Sequence, residues 1–246
     1  MWSAAMWGGI SGSAVVIGAL LALFLKIPKK YIGWIMAFGT GVLIGAATYE
    51  LLGESADNSG LTPTIIGFLA GALVFTLFDG YINRKGGAGR KRSERTSGSD
   101  RKPEVGGMAI FAGTVLDAIP ESIMLGASLI AGNGVSLLLV IAIFISNIPE
   151  GLSSTVGLKS DGYTKRHILL LWSSVLLISV LATVGGFVFM EHVSGYTKAI
   201  IASFAGGGII AMVCSSMMPE AYEEGGSVTG FVAALGLLCS LILDHM

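Results

Sequence analysis

Two short segments, Asp117-Ala-Ile-Pro-Glu121 and Ser146-Asn-Ile-Pro-Glu150, share the frame x-x-Ile-Pro-Glu. Between residues 105 and 158 the only charged side chains are Asp117, Glu121 and Glu150, so every charge there belongs to these motifs. Both motifs sit in apolar runs long enough to cross a membrane, where a carboxylate costs roughly 2.5–3.5 kcal/mol at the bilayer centre and marks a functional site by default. Helical positions i and i+4 share a face, which aligns Asp117 with Glu121 and Ser146 with Glu150, and places Asn147 one residue round. Pro120 and Pro149 have no N–H to donate, so the carbonyls of Leu116 and Ile145 lose their helical partners. The oxygens so gathered, from carboxylates, an amide, a hydroxyl and freed carbonyls, suit a divalent cation. No basic residue lies between 105 and 158, so a purely structural role would leave mutually repelling acids to be neutralised by protons or a cation. Histidine is the usual zinc ligand, yet His167, His192 and His245 all lie away from the motifs and read as interfacial.

These residues need membrane helices to hold them. The 246-residue chain is 53% hydrophobic and 13% charged, with a mean hydropathy of +0.77, outside the range of soluble globular domains. The expected fold is an all-α polytopic membrane protein with eight spans at about 3–25, 31–53, 61–82, 105–131, 134–158, 167–190, 197–219 and 227–244, each near the ~20 residues a bilayer requires. They form one transmembrane domain over 1–246: helices one to three at 3–82, a basic loop at 83–104, a central pair at 105–158 and helices six to eight at 167–244. The first apolar run has no positive charge ahead of it and exceeds a signal-peptide core, so it reads as a retained helix. Cys214 and Cys239 lie inside spans and read as small packing residues.

Orientation follows from the basic residues. Lys26, Lys29 and Lys30 follow span one, eight lysines and arginines lie from Arg84 to Lys102, and Lys159, Lys165 and Arg166 follow span five, with Lys198 alone on the other side. The positive-inside rule makes those loops cytoplasmic and places both termini outside, in a multi-pass protein of the cell membrane. The segment from Gly86 to Lys102 carries Gly, Ser and clustered charge and reads as a disordered cytoplasmic linker, with contact to lipid headgroups as a lesser alternative.

A weak internal repeat suggests the architecture. The stretch from Phe38 to Glu54 matches that from Phe204 to Glu220 in one register, and Gly67-Phe68 resembles Gly230-Phe231 in the helices that follow. Span two then corresponds to span seven and span three to span eight, an odd shift that inverts one copy in the membrane, as in many secondary transporters. The expected plan is 3+2+3, with the motif-bearing pair between two inverted triplets. The glycines of span two (Gly33, Gly39, Gly41, Gly45) and span seven (Gly206, Gly207, Gly208) suit close helix packing.

The eight-span layout, the basic loop after span three, the two Pro-Glu motifs, Gly151 after the second of them and the stretch Gly162-Tyr-Thr-Lys-Arg166 together resemble the ZIP (Zrt/Irt-like) family of divalent-metal transporters. That resemblance implies a metal site between spans four and five, with Glu121 and Glu150 at the positions of the bridging glutamates and Asn147 at that of the amide or acid before the second Pro-Glu. Asp117 stands where the family has its first histidine, Ala118 where it has asparagine, and Ser146 where it has histidine or glutamine. The implied metal ligands are Asp117, Glu121, Ser146, Asn147 and Glu150, a harder set than the family's own, open to zinc, iron(II), manganese or a similar ion.

The expected function is secondary transport of a divalent cation as substrate, and no cofactor is expected. The cation would move inward under the membrane potential, and no ATP motif suggests another energy source. Nucleic acid is not an expected partner, the lipid bilayer is, and a homodimer stays open. Glu220, Glu223 and Glu224 could form an exit funnel and Glu50, Glu54 and Asp57 an outer one, though ordinary helix-end solvation accounts for all six more simply. Two other classes stay open: a non-transporting metal sensor or partner protein with an eroded site, and a membrane enzyme using Glu121 and Glu150 as acid and base. The chain contains no G-x-S-x-G, H-E-x-x-H or cofactor loop to favour the enzyme.

Overall fold

The computed structural model describes residues 1–82, 103–129 and 135–245. The expected linker from Gly86 to Lys102 lies outside the described residues. The rest is all helical: α1 (Trp2–Phe24), α2 (Lys29–Ala46), α3 (Glu54–Ser59), α4 (Leu61–Ile82), α5 (Pro103–Ser128), α6 (Leu137–Ser160), α7 (Lys165–Glu191), α8 (Gly195–Met212), α9 (Met218–Gly225) and α10 (Thr229–Asp244). Two π-helical turns, Ala47–Gly53 and Val213–Met217, join α2 to α3 and α8 to α9.

Among the described residues six stretches are long and apolar enough to cross a membrane: Trp2–Phe24, Lys29–Ser59, Leu61–Tyr81, Leu137–Ser160, Lys165–Glu191 and Gly195–Asp244. The last of them is one run in which Gly226, at φ 74°, turns the chain between α9 and α10. Large apolar side chains on α4 (Leu69, Leu73, Leu77) and α7 (Leu170, Leu177, Leu181) are exposed, the surface a lipid-facing helix needs. The chain is a multi-pass membrane protein.

Local chemistry sets several helix starts. The side chains of Ser136, Thr164 and Ser194 accept hydrogen bonds from the backbone N–H of Leu139, His167 and Thr197, capping α6, α7 and α8. Among these six stretches Leu137–Ser160, helix α6, is the most enclosed, 72% buried against 22% for Leu61–Tyr81. It packs on α1, α2 and α5, and fully buried Trp172 of α7 donates through Nε1 to Thr155 of α6 at 2.7 Å. A core built from Val42, Leu43, Leu139, Ile143, Ile209 and Met217 joins α6 to α2 and α8.

Four helix crossings share one design, which a Cβ imagined on each glycine exposes. Where α2 meets α10, a Cβ on Gly41 would lie 1.9 Å from the Ala233 carbonyl oxygen, and one on Gly236 2.1 Å from that of Phe38. Where α4 meets α8, Gly71 stands in the same way to Phe204 at 1.9 Å and Gly207 to Phe68 at 2.1 Å. At α1 against α6, Gly18 meets Ile148 at 2.2 Å and Gly151 meets Val15 at 2.3 Å; at α5 against α7, Gly126 meets Thr183 at 2.0 Å and Gly186 meets Ile123 at 2.3 Å. In each case both helices offer a carbonyl followed three residues later by the glycine, so the backbones touch reciprocally. Side chains cannot fit there, and close packing is what holds membrane helices together when lipid competes for every apolar contact. Of the glycines singled out in the sequence, Gly33, Gly39, Gly41, Gly45 and Gly207 lie in tight contacts, whereas Gly206 and Gly208 have room for a methyl group.

Candidate metal centre

The two motifs lie within α5 and α6, with Pro120 and Pro149 inside otherwise continuous helices. Asp117, Glu121, Ser146, Asn147 and Glu150 are all buried. Burying three carboxylates in a helical bundle is expensive unless partners or ions compensate. One compensating contact ties the two helices together: Thr114 Oγ1 of α5 donates to Glu150 Oε1 of α6 at 3.1 Å. Ser146 donates to the Ile143 carbonyl at 3.1 Å, which leaves its oxygen lone pairs available.

The five residues divide between two settings. Asp117, Pro120 and Glu121 line a cavity of about 120 Å³ with Asp79 and Phe75 of α4 and Phe204 and Met212 of α8. The carbonyl of Leu116, freed by Pro120, belongs to a residue of the same cavity wall. Ser146, Asn147 and Glu150 lie on the buried face of α6, where the freed carbonyl of Ile145 packs against Gly39 of α2, 3.2 Å from where its Cβ would stand. Among the described residues no three side chains of His, Cys, Asp and Glu form a group able to hold a metal ion.

The three histidines are exposed: His167 in the first turn of α7, His192 and His245 just past the ends of α7 and α10. Both cysteines are free thiols, Cys214 exposed and Cys239 partly so.

Two participants were not visible in the motifs. Thr114 carries no sequence signal beyond being a polar residue in an apolar run. Glu220, read from the sequence either as part of an exit funnel or, more simply, as a solvated helix-end residue, is only 5% exposed and accepts a hydrogen bond from Ser153 of α6. Its signal was present, since Pro219-Glu220 repeats the Pro-Glu pair of the two central motifs. Glu54 and Glu223, in contrast, are exposed as solvation requires.

No protein-family model matches the chain. Curated proteins do. The chain is 27% identical over 215 residues to a putative zinc transporter of Arabidopsis thaliana, an alignment covering 86% of this chain and 33% of that protein. It is 25% identical over 181 residues to zinc transporter SLC39A7 of Canis lupus familiaris, covering 67% and 38%. Against SLC39A7 of Homo sapiens the identity is 25% over 148 residues, covering 56% and 31%. The chain thus spans about a third of the length of these relatives. They are named as transporters, not enzymes, and the family resemblance read from the paired Pro-Glu motifs is borne out: the chain is similar to zinc transporters that include the ZIP-family member SLC39A7.

Proposed function

We propose that this chain carries a divalent metal cation across the membrane through an oxygen-rich site on α5 and α6, with Asp117, Glu121, Ser146, Asn147 and Glu150 as its ligands. The carrying observation is that all five are buried on two helices bridged by the Thr114–Glu150 hydrogen bond. A cation neutralises such acids, and losing its water to them is what selects it. Proteins similar to this chain are named zinc transporters. The absence of imidazole from the five ligands makes manganese and iron(II) equal candidates beside zinc.

The eight-span, 3+2+3 inverted repeat is the architecture we assign. The four reciprocal glycine crossings support it, because α2 on α10 and α8 on α4 form one matched pair, and α1 on α6 and α7 on α5 another. The π-helical turns at Ala47–Gly53 and Val213–Met217 begin at matching places in the two copies. In this arrangement the repeats rock about the central pair and expose the site alternately. Both termini then face outside, the protein sits in the cell membrane, and the cation moves inward. Two charges moving down a negative-inside potential gain about 4.6 kcal/mol per 100 mV.

Uptake of zinc, manganese and iron(II) into proteoliposomes holding the purified chain tests this reading, beside Glu121→Ala and Glu150→Ala. Wild-type flux abolished in both variants is the expected result. Unchanged flux in both would sink it. The non-transporting reading draws on the lack of a preformed three-residue acid, histidine or cysteine group among the described residues; cation binding without flux in the wild type would favour it.

A further inference from the structure

Beyond Glu150, polar residues recur on α6 among the apolar ones. Ser153 and Ser154 continue the face of Ser146, Asn147 and Glu150 at helical spacings of three and four, and all five are buried. A buried polar stripe two turns long is costly in a membrane helix unless it lines a polar path. The stripe runs toward the end of α6 that carries Lys159, the end assigned to the cytoplasm. There it meets Glu220, buried in the first turn of α9 and hydrogen-bonded to Ser153.

The surroundings of Glu220 repeat the chemistry of the central site. Pro219 precedes it, so the carbonyl of Ser215 lacks its usual helical donor, and the π-helical turn Val213–Met217 lies immediately before. Such turns are frequent at functional sites because they loosen the backbone ladder. The helix α9 is held at two points: Trp34 Nε1 of α2 donates to the Gly225 carbonyl at 3.0 Å, and Thr229 Oγ1 of α10 to the Ala221 carbonyl at 3.1 Å. The carboxylate is therefore set on a fixed short helix, one α6 turn from Glu150.

We propose that Glu220 is an inner station of the path: the carboxylate takes the divalent cation after it leaves Glu150, and the cation displaces the Ser153 hydroxyl from it. This rests on the transport reading above and names a positioning and selecting residue that the α5–α6 motifs do not contain. Glu220 is placed where the cation needs a second anionic partner to leave the first, since one deep site alone would hold it.

The test compares wild type, Glu220→Gln, Glu220→Asp and Ser153→Ala, with zinc and manganese as probes. Initial uptake rates are measured in proteoliposomes, equilibrium cation binding and thermal melting in detergent. Glu220→Gln should keep central binding yet lose about tenfold or more in maximal uptake rate, the scale of one charge-assisted contact. Glu220→Asp should recover part of the flux, and Ser153→Ala should lose less than Glu220→Gln. Uptake by Glu220→Gln equal to wild type would overturn the proposal. So would Glu220→Asp as inactive as Glu220→Gln with an equal drop in melting temperature, which would make Glu220 only structural. A wild type without flux, or flux that survives Glu150→Ala, overturns the transport reading and the station with it.

Discussion

The stretches Ala47–Ser59 and Val213–Gly225 are built to one plan and end in different chemistry. Each follows a long apolar helix, relaxes into a π-helical turn and restarts as a short helix carrying a glutamate, Glu54 or Glu220. The first copy reads Leu52-Gly53-Glu54 and leaves its glutamate exposed; the second reads Met218-Pro219-Glu220 and buries it against Ser153. The backbone is therefore shared while the polar end is not. The two copies differ in whether the glutamate faces solvent or α6.

The largest effect should come from breaking the shared part. Gly41→Leu and Gly207→Leu each force side-chain atoms into a partner backbone that already excludes a Cβ. Each should cost ~3 kcal/mol or more, read as lost thermal stability in detergent. Similar losses in both would sharpen the comparison between the halves, and tolerance of only one would break it.

A second pair separates the ends. Glu220→Gln should lower uptake about tenfold, whereas Glu54→Gln, which removes an exposed charge, should leave it within about twofold. Equal effects would remove the asymmetry.

A smaller effect is expected at the inner anchor. Trp34→Phe deletes the Nε1 donor to Gly225 and should cost about 1 kcal/mol by thermal or denaturant melting. Smaller still, and of opposite sign, is Gly185→Ala. Gly185 is helical with nothing within 4 Å of an added Cβ, so alanine should stabilise by about 0.5–1 kcal/mol.

Much of this plan was legible from residue types. Apolar run length pointed to an all-helical chain with several membrane-length helices, because a bilayer fixes helix length independently of tertiary detail. The central acids stood out because charge is rare there. The register matching Phe38 with Phe204 also survives in the contacts, where both residues offer the carbonyl at a glycine crossing. The second part of the repeat was less legible: Gly67-Phe68 resembles Gly230-Phe231 in sequence, yet the contacts pair Phe68 with Gly207 and Ala233 with Gly41. Glycine-rich helices match one another in several registers, and only backbone contact selects one. The burial of Glu220 was hidden for a similar reason. A glutamate at a helix end is solvated or enclosed according to what packs across from it, here Ser153, which is distant in sequence. The π-helical turns had no local signal, since apolar residues in an α-helix and in a π-turn look alike.

The central claim is that the cation passes by the carboxylate of Glu150. Initial uptake of zinc and manganese into proteoliposomes under an inside-negative potential, wild type against Glu150→Gln, tests it most directly because the variant keeps shape and removes only charge. Loss of one buried charge contact is worth ~3 kcal/mol or more, so uptake should fall by about a hundredfold while the variant still reconstitutes. Uptake by Glu150→Gln at the wild-type rate would contradict the account.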